Sequence, residues 1–291
     1  MIKRIVSICV LVITVVSLLS CDNLEQDETE SLYHEPTYYD VILNCPEDEA
    51  VNGTVVSVEW NKRYVLPFPA RENYSFEGWE FDGSLHNSIG IWPYASGAEL
   101  VAVWKPIEYT ITYRLSPHYN DAVGTYHIET EKFVLPVPKK VSEYMFAGWT
   151  GNGIKQPTKV VEIPTGSYGN LEYTANWIKS ADIDNKANGF VMEIVDNKAV
   201  VVGYCGEYVE TATIPTEYKG YPVTTIGKAA FFGLGKFVDN LIIPYAVLNI
   251  EDYAFEGCSG TGLQIFISGG EFEDWKNSVS VGENNGTLGK W

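Results

Sequence analysis

The chain repeats itself. Tyr64-Val65-Leu66-Pro67-Phe68-Pro69 returns 69 residues on as Phe133-Val134-Leu135-Pro136-Val137-Pro138, and Tyr74-Ser75-Phe76-Glu77-Gly78-Trp79 returns 70 residues on as Tyr144-Met145-Phe146-Ala147-Gly148-Trp149. Glu99-Leu100-Val101-Ala102-Val103-Trp104 is echoed by Glu172-Tyr173-Thr174-Ala175-Asn176-Trp177. Each copy opens on an alternating segment, Tyr39-Asp40-Val41-Ile42-Leu43 and Tyr109-Thr110-Ile111-Thr112-Tyr113. Order is kept and spacing drifts only between motifs, so one supersecondary unit is used twice and the differences fall in loops.

Each copy reads as a small β unit. Alternating segments offer one apolar face, and the prolines of the Leu-Pro-x-Pro element lack the donor that a sheet interior requires. A glycine precedes a tryptophan in both copies, as expected where backbone passes close beside a large core side chain. Trp79, Trp104, Trp149 and Trp177 recur in register and are expected in cores and at strand ends. Aligning Trp92-Pro93 with Ile163-Pro164 places Trp92 at a core position too. Trp60 has no aromatic counterpart in the second copy, which makes it the one weak candidate for ligand contact. The alternation Val56, Val58, Trp60 sets it with the apolar face, against that role.

These motifs resemble the internalin-type B-repeat, also called the Listeria–Bacteroides repeat, over residues 39–104 and 109–177. Asn73 and Glu143 depart from it where a glycine usually precedes the tyrosine, and Val103 departs near the close of the first copy. The resemblance implies two β-grasp-like modules of a kind found in bacterial surface proteins, as spacers or interaction units.

A second periodicity begins after a polar stretch, 178–188, that reads as a linker. Within that stretch Asp182 and Asp184, with Glu193 beyond, suggest a calcium loop only faintly. Ala187 and Lys186 occupy positions that need a glycine and a ligand, so no metal site is expected. Thr213-Ile214-Pro215, Val223-Thr224-Thr225-Ile226-Gly227 and Ala229-Ala230-Phe231-Phe232-Gly233 are followed by Ile242-Ile243-Pro244, Val247-Leu248-Asn249-Ile250 and Tyr253-Ala254-Phe255-Glu256-Gly257-Cys258. Ile226 to Ile250 and Phe231 to Phe255 are both 24 residues apart. The pattern resembles the BspA-type leucine-rich repeat over residues 189–291. Phe190 to Tyr221 would be its opening cap, and Ile267 to Gly270 with Glu273-Asp274-Trp275 its closing cap. Stacked units complete each other's core, with Ile226, Ile250, Phe231 and Phe255 pointing inward and Cys258 at a buried position.

The first twenty residues read as an export signal. Lys3 and Arg4 precede an uncharged apolar run from Ile5 to Leu19, too short to span a bilayer as a helix. Leu18-Leu19-Ser20-Cys21 resembles a bacterial lipobox, which implies cleavage after residue 20 and acylation of Cys21. Residues 21–38 form an acidic, flexible tether: Asp22, Glu25, Asp27, Glu28, Glu30 and Glu35, with Asp40 just beyond, meet no Lys or Arg. Loss of Lys3 and Arg4 takes the chain from a net charge of −18 to −20. That balance argues against a nucleic-acid partner, since counterion displacement needs basic side chains. Cys45, Cys205 and Cys258 remain, too few for a disulfide framework; Cys205 and Cys258 are expected as small buried side chains, and a pair among the three is left open.

No chemistry emerges from the motifs. The histidines His34, His86, His118 and His127 form no metal or nucleophile pattern, and no phosphate-binding glycine loop is present. The expectation is a mainly β, multidomain surface lipoprotein of the bacterial envelope, without catalysis or cofactor, lipid-anchored to the membrane and acting in adhesion by binding a host or neighbouring-cell protein or a matrix ligand. A carbohydrate-binding accessory lipoprotein and a passive spacer are the alternatives. Glycan binding calls for exposed coplanar aromatics on one face, protein binding for a mixed polar and aromatic patch, and a spacer for no sizeable patch.

Overall fold

The computed structural model describes residues 36–286 apart from Lys140, Ser142, Lys236 and residues 259–261. The signal sequence, Cys21 and nearly all of the tether lie outside the described residues. Those described are mainly β, with twenty-four strands and one α-helix in several small sheets.

The first module contains β1 (Tyr38–Asn44), β2 (Val55–Glu59), β3 (Arg63–Val65), β4 (Tyr74–Phe81), β5 (Ser84–His86), β6 (Ile89–Ile91) and β7 (Ala98–Pro106). The second contains β8 (Tyr109–Arg114), β9 (Ala122–Tyr126), β10 (Phe133–Val134), β11 (Tyr144–Gly151), β12 (Ile154–Thr158), β13 (Glu162–Ile163) and β14 (Leu171–Lys179). The main sheets run β2-β1-β7-β4-β5 and β9-β8-β14-β11-β12, with the β1–β7 and β8–β14 pairs parallel in both. Each module adds a two-stranded sheet, β3–β6 or β10–β13, whose first strand stops at the residue before the Leu-Pro element. Asp82-Gly83 and Asn152-Gly153 turn β4 into β5 and β11 into β12, with both residues of each turn at positive φ, as a tight hairpin requires.

The glycine before each tryptophan does what its position suggested. The β4–β7 register shifts between Phe76 and Gly78, and the β11–β14 register shifts between Phe146 and Gly148. A Cβ on Gly78 would lie 2.8 Å from the His86 carbonyl oxygen, and one on Gly148 would lie 2.5 Å from the Thr158 nitrogen. Trp79 and Trp149 fill the cores beneath, each edge-on to a phenylalanine, Phe76 or Phe146, that also meets Trp104 or Trp177.

Trp92 is fully buried as expected, but the strand register differs from the proline-based alignment. Tyr64 pairs with Gly90 while Phe133 pairs with Ile163, so Gly90 and not Trp92 is the counterpart of Ile163 in the fold.

The C-terminal unit comprises β15 (Lys186–Ala187), β16 (Phe190–Val195), β17 (Lys198–Tyr204), β18 (Val209–Thr213), β19 (Glu217–Tyr218), β20 (Tyr221–Ile226), β21 (Val238–Pro244), β22 (Asn249–Ile250), β23 (Gln264–Ser268), α1 (Phe272–Ser278) and β24 (Ser280–Val281). Two parallel ladders, β17-β20-β22-β24 and β18-β21-β23, run through it. Ile226 pairs with Ile250 and Ile242 with Phe266, both at the 24-residue period. Phe231, Phe255, Ile226 and Ile250 are fully buried in one core, which Phe190 enters from the N-terminal side and Trp275 of α1 from the C-terminal side.

The polar stretch 178–188 is not a slack linker. Ile178 and Lys179 belong to β14, Ser180–Asp182 make a 3-10 turn, and Lys186–Ala187 are β15. Ile183 is buried with Met145 of the second module and Val191, Val202 and Cys205 of the C-terminal unit. A single buried isoleucine in a mostly polar stretch hid this joint from a reading by composition.

Candidate functional site

The face of interest begins with core residues. Tyr64 and Leu66 point inward from the β3 segment, Ser88 and Trp92 inward around β6, and Tyr64 meets Trp92 edge-on at 5.8 Å. The Tyr64 hydroxyl donates to the Asn87 carbonyl at 2.9 Å, and burial pushes its pKa up. The small sheet thus rests on a packed base. With period-2 alternation, Arg63, Val65, Ile89 and Ile91 must then face outward, and Val65 lies directly opposite Ile89. Val65 is 60% exposed, Ile91 56% and Ile89 44%, and Phe68 of the Leu-Pro-Phe-Pro element is 68% exposed.

Trp60 stands at the entrance to this sheet, 54% exposed. The alternation that set it inward ends too early: β2 stops at Glu59, and Asn61 takes a positive φ of 55° and donates to the Trp92 carbonyl. The turn swings Trp60 out of the apolar face. The candidate tryptophan and the aliphatic face therefore belong to one module, with Trp60 three residues before β3.

In the second module the corresponding element is covered. Val134 and Val137, the counterparts of Val65 and Phe68, are half-buried. Val137 lies against Gly233 of the C-terminal unit so closely that a Cβ on that glycine would come within 2.3 Å of it. Gly233 stacks in turn on Gly257 of the next coil. Beside this contact Lys159 donates from Nζ to the carbonyls of Val202 at 3.2 Å, Ala229 at 3.1 Å and Ala230 at 3.5 Å. Burial without a carboxylate partner pulls its pKa down to about 8. Between the paired positions His86 and Thr158 and the equivalent Ser88 and Val161, the first module has Asn87 alone where the second has Lys159 and Val160. The lysine sits in a one-residue insertion.

Docking leaves an open cleft of about 450 Å³ between the β10–β13 sheet and the C-terminal turns. Phe133, Val134, Phe232 and Tyr253 supply apolar walls, and Glu162 and Glu256 supply acid. Lys132 is held toward Glu162 at 3.6 Å.

Other side chains singled out by sequence are structural here. His86 packs on Trp92 and Tyr94, and His118 on Tyr144 and Trp177. Among the described residues no three metal-capable side chains gather. Cys45, Cys205 and Cys258 are buried thiols, no disulfide joining them, and burial pushes Cys258 up to about 12. No helix among the described residues is long and apolar enough to cross a membrane. Sequence reasoning missed Val65, Phe68 and Lys159. The unmatched Phe68 against Val137 and the inserted lysine were the available signals.

No protein-family model matches the chain, and comparison with curated proteins found none similar to it. Among solved structures, 34% of the chain is similar to a leucine-rich cell surface protein from Faecalibacterium prausnitzii A2-165, with 23% identity and a TM-score of 0.28. The similarity covers 26% of that protein's length, about a quarter.

Proposed function

We propose that this chain is a bacterial surface lipoprotein, anchored through Cys21, whose first module binds a protein partner while the second module is committed to the C-terminal unit. In this reading the two modules are B-repeats and the C-terminal unit is a short leucine-rich solenoid of the BspA type. The observation that supports it best is the outward face of β3 and β6. Isolated exposed apolar side chains are ordinary, but a grouped set marks a contact surface. Val65, Ile89 and Ile91 share one small sheet, with Phe68 and Trp60 at either end of the same segment.

The chemistry of that face favours protein over sugar. Three of its five apolar members are aliphatic, and aliphatic side chains offer no flat ring for a pyranose to stack on. A spacer has no use for such a patch at all.

The test is a binding screen of residues 22–291 on arrays of extracellular-matrix proteins and of glycans. Binding to protein spots is expected, reduced at least tenfold by Phe68→Asp. Binding confined to glycans, or unaffected by that variant, contradicts the reading. Anchoring is tested separately: Cys21→Ser is expected to abolish labelled-palmitate incorporation in the bacterium.

A further inference from the structure

We infer that the exposed face of the first module docks into the cleft between the second module and the C-terminal unit of another copy of this chain, joining copies head to tail. The inference rests on the reading above that this face binds protein, and it names the partner.

Three observations carry it. The first is internal precedent. The Leu-Pro-x-Pro element already has one docking surface in this molecule: Val137 of the second module lies against the Gly233 turn, which stacks on Gly257. The first module presents the same element with a larger side chain, Phe68, and no cover. It lacks the two features that commit the second module to the neighbouring notch, since Ser75 replaces Met145 and the inserted Lys159 has no counterpart. What it keeps suits the turn row and not the carbonyl notch.

The second is room. The turn row is only partly covered, and the cleft of about 450 Å³ opens along it, with Phe232 and Tyr253 in its wall. A phenylalanine ring fits such a space and would bury its apolar surface there at about 25 cal/mol per Å². The third is charge. Arg63 shares the outward face with Val65, whereas Glu256 lines the cleft. Lys132 in the lining is taken up by Glu162, so a basic side chain beside Val65 meets acid at the cleft wall.

Face and cleft meet between chains. The two modules are joined through Ile107-Glu108 alone, and the joint is fixed by hydrogen bonds from Ile107 N–H to the Asn73 carbonyl, from the Tyr109 hydroxyl to Asn73 Oδ1, and from the Tyr74 hydroxyl to Glu129. A face and a cleft that are different surfaces give a heterologous contact, which propagates and does not close on itself.

The experiment is sedimentation velocity of residues 22–291 over a hundredfold concentration range. Wild type is expected to show concentration-dependent association into species larger than a dimer. Phe68→Asp and, independently, Glu256→Arg should each weaken it at least tenfold, and Arg63→Glu combined with Glu256→Arg should recover it. Near-ultraviolet circular dichroism of the buried tryptophans checks that each variant is folded. A chain monomeric at every concentration overturns the proposal, as does association indifferent to Phe68 or a closed dimer. If the chain stays monomeric while the array shows Phe68-dependent protein binding, the reading of the face survives and this partner does not. Association with silent arrays supports this partner and removes the foreign one.

Discussion

At the scale of single residues, the two copies diverge where their backbone demands are the same. Asn73 and Glu143 both take positive φ, 64° and 63°, and their carbonyls accept equivalent hydrogen bonds from Ile107 and Ser180 just past the closing strands. Asparagine visits this region readily; glutamate does so at a cost of about 1–2 kcal/mol. Replacement by glycine removes that strain and gives back about 0.5–1 kcal/mol through the freer unfolded chain. Glu143→Gly is therefore expected to stabilise the second module by roughly 0.5–1 kcal/mol in urea unfolding, while Asn73→Gly, which also loses the Tyr109 bond, should not stabilise. The special backbone at both positions was legible in advance, because a glycine is what the resemblance called for there. Trp60 was not legible, since alternation tells which way a strand residue points only while the strand continues. Asn61 ended it one residue after Trp60.

At the scale of elements, duplication made the sheets readable and the joints opaque. Two copies with the same motif order had to share one topology, and the 24-residue spacing of Ile226 and Ile250 fixed a parallel register. The Asp82-Gly83 and Asn152-Gly153 turns were available as hairpin signals as well. Joints have no period, so Ile183 and Met145 gave nothing to count, and Lys159 showed only as a one-residue insertion. The tryptophans separate into two kinds that sequence could not distinguish. The indole N–H groups of Trp79, Trp104, Trp149 and Trp177 are buried without a hydrogen-bond partner. Trp275 on α1 is fully buried and donates to the Val247 carbonyl at 2.6 Å, closing the last coil. Trp275→Phe removes both packing and a buried bond and should cost about 2–4 kcal/mol. Trp104→Phe loses no hydrogen bond and leaves a half-buried site, so about 1–2 kcal/mol is expected. Thermal or urea melts of the two variants check the order, and equal losses would mean the Trp275 bond contributes nothing.

At the scale of the molecule, the connections are unequal. The first module has its own core, joined to the second by hydrogen bonds at Asn73, Tyr74 and Tyr109. The second module shares a buried cluster with the C-terminal unit through Met145, and Lys159 reaches across the same seam. Calorimetry should accordingly resolve one transition for the first module and one joint transition for the rest. Lys159 gives that joint transition an unusual pH dependence. Its folded pKa is lowered to about 8 by burial, below the 10.5 of an exposed lysine. Between these values the unfolded chain binds more protons than the folded one, so stability rises with pH across the window. Below pH 8 the lysine is charged in both states and the desolvation penalty is fully present. Buried Cys258, pushed up to about 12, acts in the opposite direction above the 9 of an exposed thiol, and Tyr113, Tyr126, Tyr173 and Tyr204, whose pKa values are raised from 10, do so above that value. Measured against Lys159→Met, the wild-type midpoint of the joint transition should therefore climb over about pH 8–9.5 by roughly 2–4 °C, a gain on the order of 1 kcal/mol once solvent screening is allowed for. Lys159→Met keeps the length and removes the titration, so its midpoint should fall over the same interval as Cys258 titrates in the unfolded chain, while the first module's transition is the same in both proteins. A rise that persists in Lys159→Met would assign the effect to other groups. Parallel curves for the two proteins would mean that the lysine ammonium at the seam is hydrated and not held by the three carbonyls.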